Sequence, residues 1–182
     1  MSMRLTRLLH LSRNRRPVRR FRDHLVEPEV VDAVLEAARY ASSAREAQPW
    51  RFVVVQEALA RHRIAVAAFN HPHVMTAPVV VACCARIHSH VSGTGRPSFA
   101  MDLASATQTM MLTAADLGVQ SSWVYGFREG DVREILGVPE HVPIVALFCL
   151  GYHDGLAELP ERLPRDEVIA WDRWRTAARA AE

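Results

Sequence analysis

Two short segments carry side chains suited to binding an anion and a flat ring. The first is a run of guanidinium groups at Arg15, Arg16, Arg19 and Arg20. Arg binds phosphate well because its planar fork donates two parallel hydrogen bonds. On an extended segment, alternation puts Arg15 and Arg19 on one face and Arg16 and Arg20 on the other. The run predicts a phosphate-binding site, with a solvated basic surface as the alternative.

The second segment is a loop of small residues that leads into a predicted strand. Ser42, Ser43 and Ala44 would let backbone amides approach a ring closely. Gln48 offers both donors and acceptors to the alternating edge of a pyrimidine-type ring. Taken alone, the loop is typical of an ordinary connection between a helix and a strand. Its spacing from the Arg run favours a site for a large planar ligand with a phosphate tail.

The elements that must position these segments follow from the hydrophobic spacing. Helices are predicted up to Asn14, from Pro28 to Tyr40, and over 59–69, 99–117 and 131–136. A last helix is predicted to carry Val168, Ile169, Trp171 and Trp174, with Arg175 and Arg179 near its end. Strands are predicted over 52–55, 79–84, 119–124 and 144–150. The helix over 99–117 is apolar nearly all round, which predicts burial in a core or against a partner subunit. Interspersed helices and strands predict one α/β or α+β domain over residues 1–182.

Composition excludes several classes of protein. The chain has 182 residues, of which 49% are hydrophobic and 23% charged, as in globular proteins. A net charge of +2 argues against a nucleic-acid binder, and no apolar run reaches the length of a membrane helix. We therefore expect a cytoplasmic protein without nucleic-acid or membrane partners. All 22 basic residues are Arg, so the abundance of Arg alone is not evidence for phosphate binding.

Cysteine and histidine patterns give no strong sign of a metal site. The three cysteines lie in predicted buried strands without a CxxC pair, which predicts free thiols. Two His-x-His pairs, at 71–73 and 88–90, could each present two imidazoles to a metal. Because no neighbouring carboxylate or cysteine completes a ligand set, we interpret them as loop histidines.

The order of motifs along the chain resembles the flavin-dependent nitroreductase family. That family typically shows Arg-Arg-Ser-x-Arg-x-Phe, then Ala-Pro-Ser-x-x-Asn-x-Gln-Pro-Trp-x-Phe, a long helix ending in Leu-Gly, a small-residue strand containing Trp, and a Gly-Tyr turn. This chain supplies Arg15-Arg16-Pro17-Val18-Arg19-Arg20-Phe21, Gln48-Pro49-Trp50-Arg51-Phe52, Leu117-Gly118, Ser121-Ser122-Trp123, Gly151-Tyr152 and then Arg162. The resemblance covers nearly the whole chain.

The resemblance implies an α+β fold, with a mixed β-sheet flanked by helices, in an intertwined homodimer. It implies FMN as cofactor and NAD(P)H as reductant, in a ping-pong reaction. A hydride would pass through flavin N5 to a small electron-poor acceptor, such as a nitroaromatic or a quinone. The matching cofactor-binding positions are Arg15, Arg16, Pro17, Arg19 and Arg162 for the phosphate and ribityl end, Ser42, Ser43, Ala44 and Gln48 for the ring, from the same or a second subunit, and Trp123, Val124 and Tyr125 for its other side.

Several positions depart from the family pattern. Pro17 replaces a Ser and has neither a hydroxyl nor an amide proton to donate, and Glu46 replaces an Asn and only accepts hydrogen bonds when ionised. Pro160 stands where the family often has a basic residue. These departures favour an alternative, a non-catalytic or altered-ligand flavin-binding protein with a degenerate site. A third hypothesis, polyanion binding by residues 13–22, predicts affinity that falls steeply with salt.

Overall fold

A four-stranded sheet covered by helices on both faces forms the centre of the protein. The computed structural model describes residues 6–16, 18–87, 97–153, 158–159 and 161–174. The strands are β1 (Trp50–Val55), β2 (Val79–Ala85), β3 (Gln120–Val124) and β4 (Ile144–Gly151), in the spatial order β1-β2-β4-β3. All four lie where the sequence predicts strands.

The two central strands, β2 and β4, are continuous apolar runs. Every residue of β2 and all but one of β4 are buried, because helices cover both faces of the sheet. The pairings of β1 with β2, β2 with β4 and β3 with β4 are all antiparallel. The mixed pairing that the resemblance implies is therefore not found among the described strands. Strands β2 and β3 run in the same direction, but β4 lies between them and is antiparallel to both.

Helices form the two outer layers. They are α1 (Arg7–Asn14), α2 (Pro28–Arg39), α3 (Ala58–Ala67), α4 (Pro72–Met75), α5 (Ser98–Asp116), α6 (Glu129–Leu136) and α7 (Arg165–Val168). On one face of the sheet α2 packs with α5, and on the other α3 packs with α6. Adjacent residues Leu147 and Phe148 of β4 enter opposite core clusters, as the alternation of a strand requires. The prediction of an α+β fold with a sheet flanked by helices is confirmed.

Proline and glycine set the helix ends where the sequence predicts them. Pro28 is the first residue of α2. Gly137 ends α6 with a φ of 64°, and Gly118 follows α5 with a φ of 77°, a left-handed conformation that favours glycine. At 19 residues α5 is the longest helix, but neither it nor any other helix in the described ranges is long and apolar enough to cross a bilayer.

The prediction of a last helix that carries Val168, Ile169, Trp171 and Trp174 is wrong over the described residues, and Arg175 and Arg179 lie outside them. Helix α7 ends at Val168, and Ile169 is extended, with a φ of −125° and a ψ of 116°. Trp171 and Trp174 are 70% and 89% exposed. A short helix needs tertiary packing of its apolar face, and these two indoles are mostly exposed within the described part of the chain.

Candidate cofactor site

Two buried apolar side chains hold the N-terminal Arg segment against the end of the sheet. Val18 and Phe21 are each 6% exposed. The amide of Phe21 donates to Thr76 Oγ1 at 2.9 Å. The amide of Arg22 donates to the carbonyl oxygen of Tyr152, just beyond β4, at 2.7 Å. The position of the segment is therefore fixed by contacts far apart in sequence.

Arg15 and Arg16 lie in one pocket rather than on opposite faces. Both are half-buried and line a cavity of about 140 Å³, which we call the arginine pocket, whereas Arg19 is exposed. The predicted alternation is wrong here because Arg15 is the C-cap of α1, and its amide donates to the carbonyl oxygen of Leu11 at 2.9 Å. The end of a helix, not a strand, sets the directions of these two side chains.

The remaining walls of the arginine pocket are polar or apolar but not acidic. They include His10, Gln120, Ser121 and His153, with Met111 and Ala115 of α5 on the apolar side. No Asp or Glu occurs among the described residues that line the pocket. Guanidinium, imidazole, amide and hydroxyl groups without a carboxylate fit an anionic ligand.

Arg162 brings another positive charge close to Arg15. The pKa of Arg15 is lowered, first by burial and then by the charge of Arg162. The charge of Arg162 disfavours the ionised form of Arg15, and a bound phosphate would offset this repulsion. The structure thus places Arg15 and Arg16 of the predicted phosphate-binding set in one pocket, and exposed Arg162 lies close enough for its charge to act on Arg15. Pro17 lies outside the described residues.

Strand β3 leads from the arginine pocket to an aromatic pair. Ser121 lines the pocket, and Trp123 follows on the same face of the strand, about 7 Å further along. The ring centroids of Trp123 and Tyr125 are 4.7 Å apart, while Val124 between them is buried in the core. Trp123 Nε1 is buried and has no hydrogen-bond partner in the described part of the chain. An aromatic pair therefore lies along β3 from the pocket, with one buried indole N–H that has no partner in the described residues.

The loop over residues 42–48 has a strained backbone. Arg45, Glu46 and Gln48 have φ values of 52°, 55° and 44°. In this left-handed region a residue other than Gly costs about 1–2 kcal/mol. The amide of Gln48 donates to Ser43 Oγ at 3.0 Å and the amide of Glu46 to the carbonyl oxygen of Ser43 at 3.1 Å. Backbone strain of this kind is typical of functional sites.

A buried carboxylate that our reading of the sequence did not identify, that of Asp102 on α5, contacts this loop. Its Oδ1 accepts a hydrogen bond from the amide of Ala44 at 2.8 Å. The hydroxyls of Ser42 and Ser105 also approach within 3.4 Å. The sequence signal for Asp102 was an acidic residue near the start of a predicted helix that consists mostly of small and apolar residues.

The loop and the arginine pocket lie at opposite ends of α5 within one chain. Asp102 contacts the loop, whereas Ala115 lines the arginine pocket. At about 1.5 Å of rise per residue, these two positions are about 20 Å apart along the helix axis. Gln48 instead lines an open cavity of about 760 Å³ between α2 and β1. The predicted site residues therefore form two separate groups in one chain.

The cysteines and histidines form no second site among the described residues. All three cysteines are buried free thiols, as predicted, and burial raises the pKa of Cys84 to about 11 and that of Cys149 to about 12. The rings of His71 and His73 stack with centroids 5.3 Å apart, while residues 88–90 lie outside the described ranges. No group of three His, Cys, Asp or Glu in those ranges could hold a metal ion.

Comparison with known proteins gives relatives along most of the chain. The sequence pattern of the nitroreductase family matches residues 12–74 and 65–152. An NADH dehydrogenase from Thermus thermophilus is 32% identical over 188 residues, which cover 86% of this chain and 92% of the relative. An FMN reductase (NADPH) from Bacillus subtilis is 25% identical over 172 residues, which cover 85% of this chain and 69% of the relative.

Solved structures show the same fold. A nitroreductase family protein from Clostridium difficile is 26% identical, with a TM-score of 0.82 over 93% of this chain and 100% of that one. The NADPH:FMN oxidoreductase from Vibrio harveyi, complexed with NAD+, is 22% identical, with a TM-score of 0.86 over 94% of this chain and 79% of that one. Sequence pattern, relatives and fold agree, and the chain belongs to the nitroreductase family of oxidoreductases.

Proposed function

We propose that this protein is an FMN-dependent NAD(P)H oxidoreductase. The arginine pocket carries this proposal, because Arg15 and Arg16 line it with no carboxylate among the described lining residues, and the charge of Arg162 acts on Arg15 from nearby. Such a donor set fits the phosphate of FMN. The names of two relatives, an FMN reductase and an NADPH:FMN oxidoreductase, support the same cofactor. The sequence also predicts a cytoplasmic protein of one domain, and NAD(P)H as the reductant is compatible with that prediction.

The residues of the chain bind and orient the cofactor in this proposal. Arg15, Arg16 and Arg162 hold the phosphate, and exposed Arg19 adds long-range attraction. Trp123 and its neighbours on β3 face one side of the ring. When bound, FMN would supply the hydride chemistry, taking a hydride from NAD(P)H at N5 and passing electrons to a nitroaromatic or a quinone in a ping-pong cycle.

A homodimer completes the proposed site. Because the loop and the arginine pocket lie at opposite ends of α5, we place the loop of one protomer over the pocket of its partner. Exposed apolar side chains support an interface: Met101 and Leu117 of α5 are 56% and 43% exposed, and Trp171 and Trp174 are 70% and 89% exposed. Apolar surface of this kind marks protein contacts.

Subunit mixing tests this shared site. Arg15→Ala impairs the pocket and Gln48→Ala impairs the loop, so each homodimer should have low activity. In a mixed dimer, one site would combine the intact pocket of one chain with the intact loop of the other. We expect activity to recover when the two variants are unfolded and refolded together. If both halves of a site came from one chain, every site would keep a defect and mixing would restore nothing.

Turnover separates the enzyme from the non-catalytic alternative. Protein loaded with FMN should oxidise NADH or NADPH when a simple benzoquinone is supplied. Retention of FMN without any such oxidation would favour the alternative of a flavin-binding protein without catalysis. Pro17, Glu46 and Pro160 are the departures that favour that alternative, and Glu46, in the loop at 42–48, is exposed.

Glu46→Asn should raise the midpoint potential of bound flavin. The ionised carboxylate of Glu46 lies in the loop that the proposal places against the ring, and a negative charge there disfavours anionic reduced flavin. Asn removes the charge, shortens the side chain by one methylene and is the residue that the family pattern has at this position. Dye-equilibrated spectroscopic titration measures the potential, and Glu134→Gln at an exposed position of α6, on the other face of the sheet, serves as the control. An unchanged potential in Glu46→Asn would show that this carboxylate does not face the ring.

A further inference from the structure

The attachment of the loop at 42–48 to α5 depends on one short hydrogen bond. Bonds within the loop, such as that from the amide of Gln48 to Ser43 Oγ at 3.0 Å, shape the loop without attaching it to the helix. The amide of Ala44 donates to Asp102 Oδ1 at 2.8 Å, and the Ser42–Ser105 hydroxyl contact is longer, at 3.4 Å. Asp102 therefore provides the stronger of the two described polar contacts between loop and helix.

Packing and stability do not explain the presence of Asp102. The residue is 6% exposed, and its Oδ2 has no hydrogen-bond partner in the described part of the chain. It also belongs to none of the ion pairs found among those residues. A buried carboxylate with one unpaired oxygen is unfavourable for folding, whereas an apolar side chain would pack here. This imbalance points to a role other than stability.

We propose that Asp102 is a positioning residue that holds the left-handed loop in the conformation which faces the flavin ring. The proposal rests on the proposed FMN function. Leu103 and Met110 bury α5 in the core, so Asp102 is presented from a rigid element. A charged acceptor holds an amide more strongly than a neutral one. Left-handed Arg45 and Glu46 directly follow the tethered Ala44, and such strain persists only where surrounding contacts fix it.

Two substitutions remove the same hydrogen bond from opposite sides. Asp102→Ala removes the acceptor, and Ala44→Pro removes the donor. Proline is tolerated at the first position of a helical turn, and Ser43 already has the extended backbone, with a φ of −136° and a ψ of 153°, that a residue before proline needs. Because both changes break one bond, their effects on the loop should not add in the double variant.

Hydrogen exchange and FMN binding are then compared across these variants. In Asp102→Ala, the amides of Glu46 and Gln48 should exchange about tenfold faster, and the Kd for FMN should rise about tenfold, as expected for one charge-assisted hydrogen bond. The visible absorption band of bound FMN should also shift. Asp102→Asn keeps an acceptor oxygen and should restore most of each property. Asp131→Ala, whose carboxylate pairs with Arg128 at 2.6 Å on α6, is the control and should change none.

Each outcome decides the proposal. Unchanged loop exchange in Asp102→Ala would show that the carboxylate does not hold the loop. Faster exchange with an unchanged Kd and spectrum would show that the loop does not orient flavin, and either result overturns the proposal. If Asp102→Ala does not fold, Ala44→Pro provides the same comparisons. If wild-type protein binds no FMN, the proposed function itself fails, whereas wild-type binding with unaffected variants overturns the role of Asp102 alone.

Discussion

An Arg15→Ala variant is expected to bind FMN about a hundredfold more weakly than the wild type. Arg15 is half-buried in the arginine pocket, and its charge is opposed by burial and by Arg162, which together lower its pKa. A charge-assisted hydrogen bond contributes about 1.5–3 kcal/mol, and about 1.4 kcal/mol corresponds to tenfold in affinity, so two lost bonds account for the effect. Fluorescence titration with FMN measures the loss.

The ligand-free Arg15→Ala protein should be at least as stable as the wild type. Folding moves the Arg15 charge into an unfavourable environment, so removing that charge removes a cost rather than a gain. Arg13→Ala deletes the same charge from an exposed position of α1, outside the pocket, and should leave FMN affinity nearly unchanged. Equal losses of FMN affinity in Arg15→Ala and Arg13→Ala would indicate general electrostatic attraction by the basic segment. That result would contradict a specific phosphate site in the arginine pocket.

A Gly151→Ala variant should lose about 1–3 kcal/mol of its free energy of unfolding. A Cβ at this position would lie 2.7 Å from Pro78 Cδ and 2.8 Å from Phe21 Cδ1, both closer than ordinary contact. Phe21 anchors the Arg segment, so relief of the clash should also displace that segment. Urea unfolding should therefore show lower stability, and titration should show weaker FMN binding.

Gly130→Ala is the matched control for this clash. Gly130 lies in α6, where an added Cβ meets nothing within 4 Å. Alanine is favoured over glycine in a helix by about 0.5–1 kcal/mol, so this variant should be as stable as the wild type or more stable. Unfolding of Gly151→Ala at the same urea concentration as the wild type would show that Phe21 does not pack closely against the end of β4.

Local signals account for the parts of the fold that the sequence predicted correctly. Continuous apolar runs identified β2 and β4, because a strand covered on both faces has no polar alternation. Pro28, Gly118 and Gly137 marked helix ends through their own backbone preferences. These features need no knowledge of distant contacts.

The features that the sequence did not predict depend on contacts between distant segments. The position of Arg16 follows from the C-cap of α1 that precedes it. The hydrogen bond that attaches the loop to α5 forms between Asp102 and Ala44, which are far apart in the sequence. Trp171 and Trp174 are exposed and non-helical in the described part of the chain, and the helical spacing of the sequence does not report whether an apolar face finds packing partners. The resemblance selected the site residues, and their roles toward FMN stay predictions.

An absorbance spectrum of the purified protein, recorded before and after addition of FMN and desalting, tests the central claim most directly. The proposed function predicts a retained flavin band that bleaches when NADH or NADPH is added under anaerobic conditions. Protein that retains no flavin after loading, or a retained band that neither nucleotide bleaches, would contradict an FMN-dependent NAD(P)H oxidoreductase.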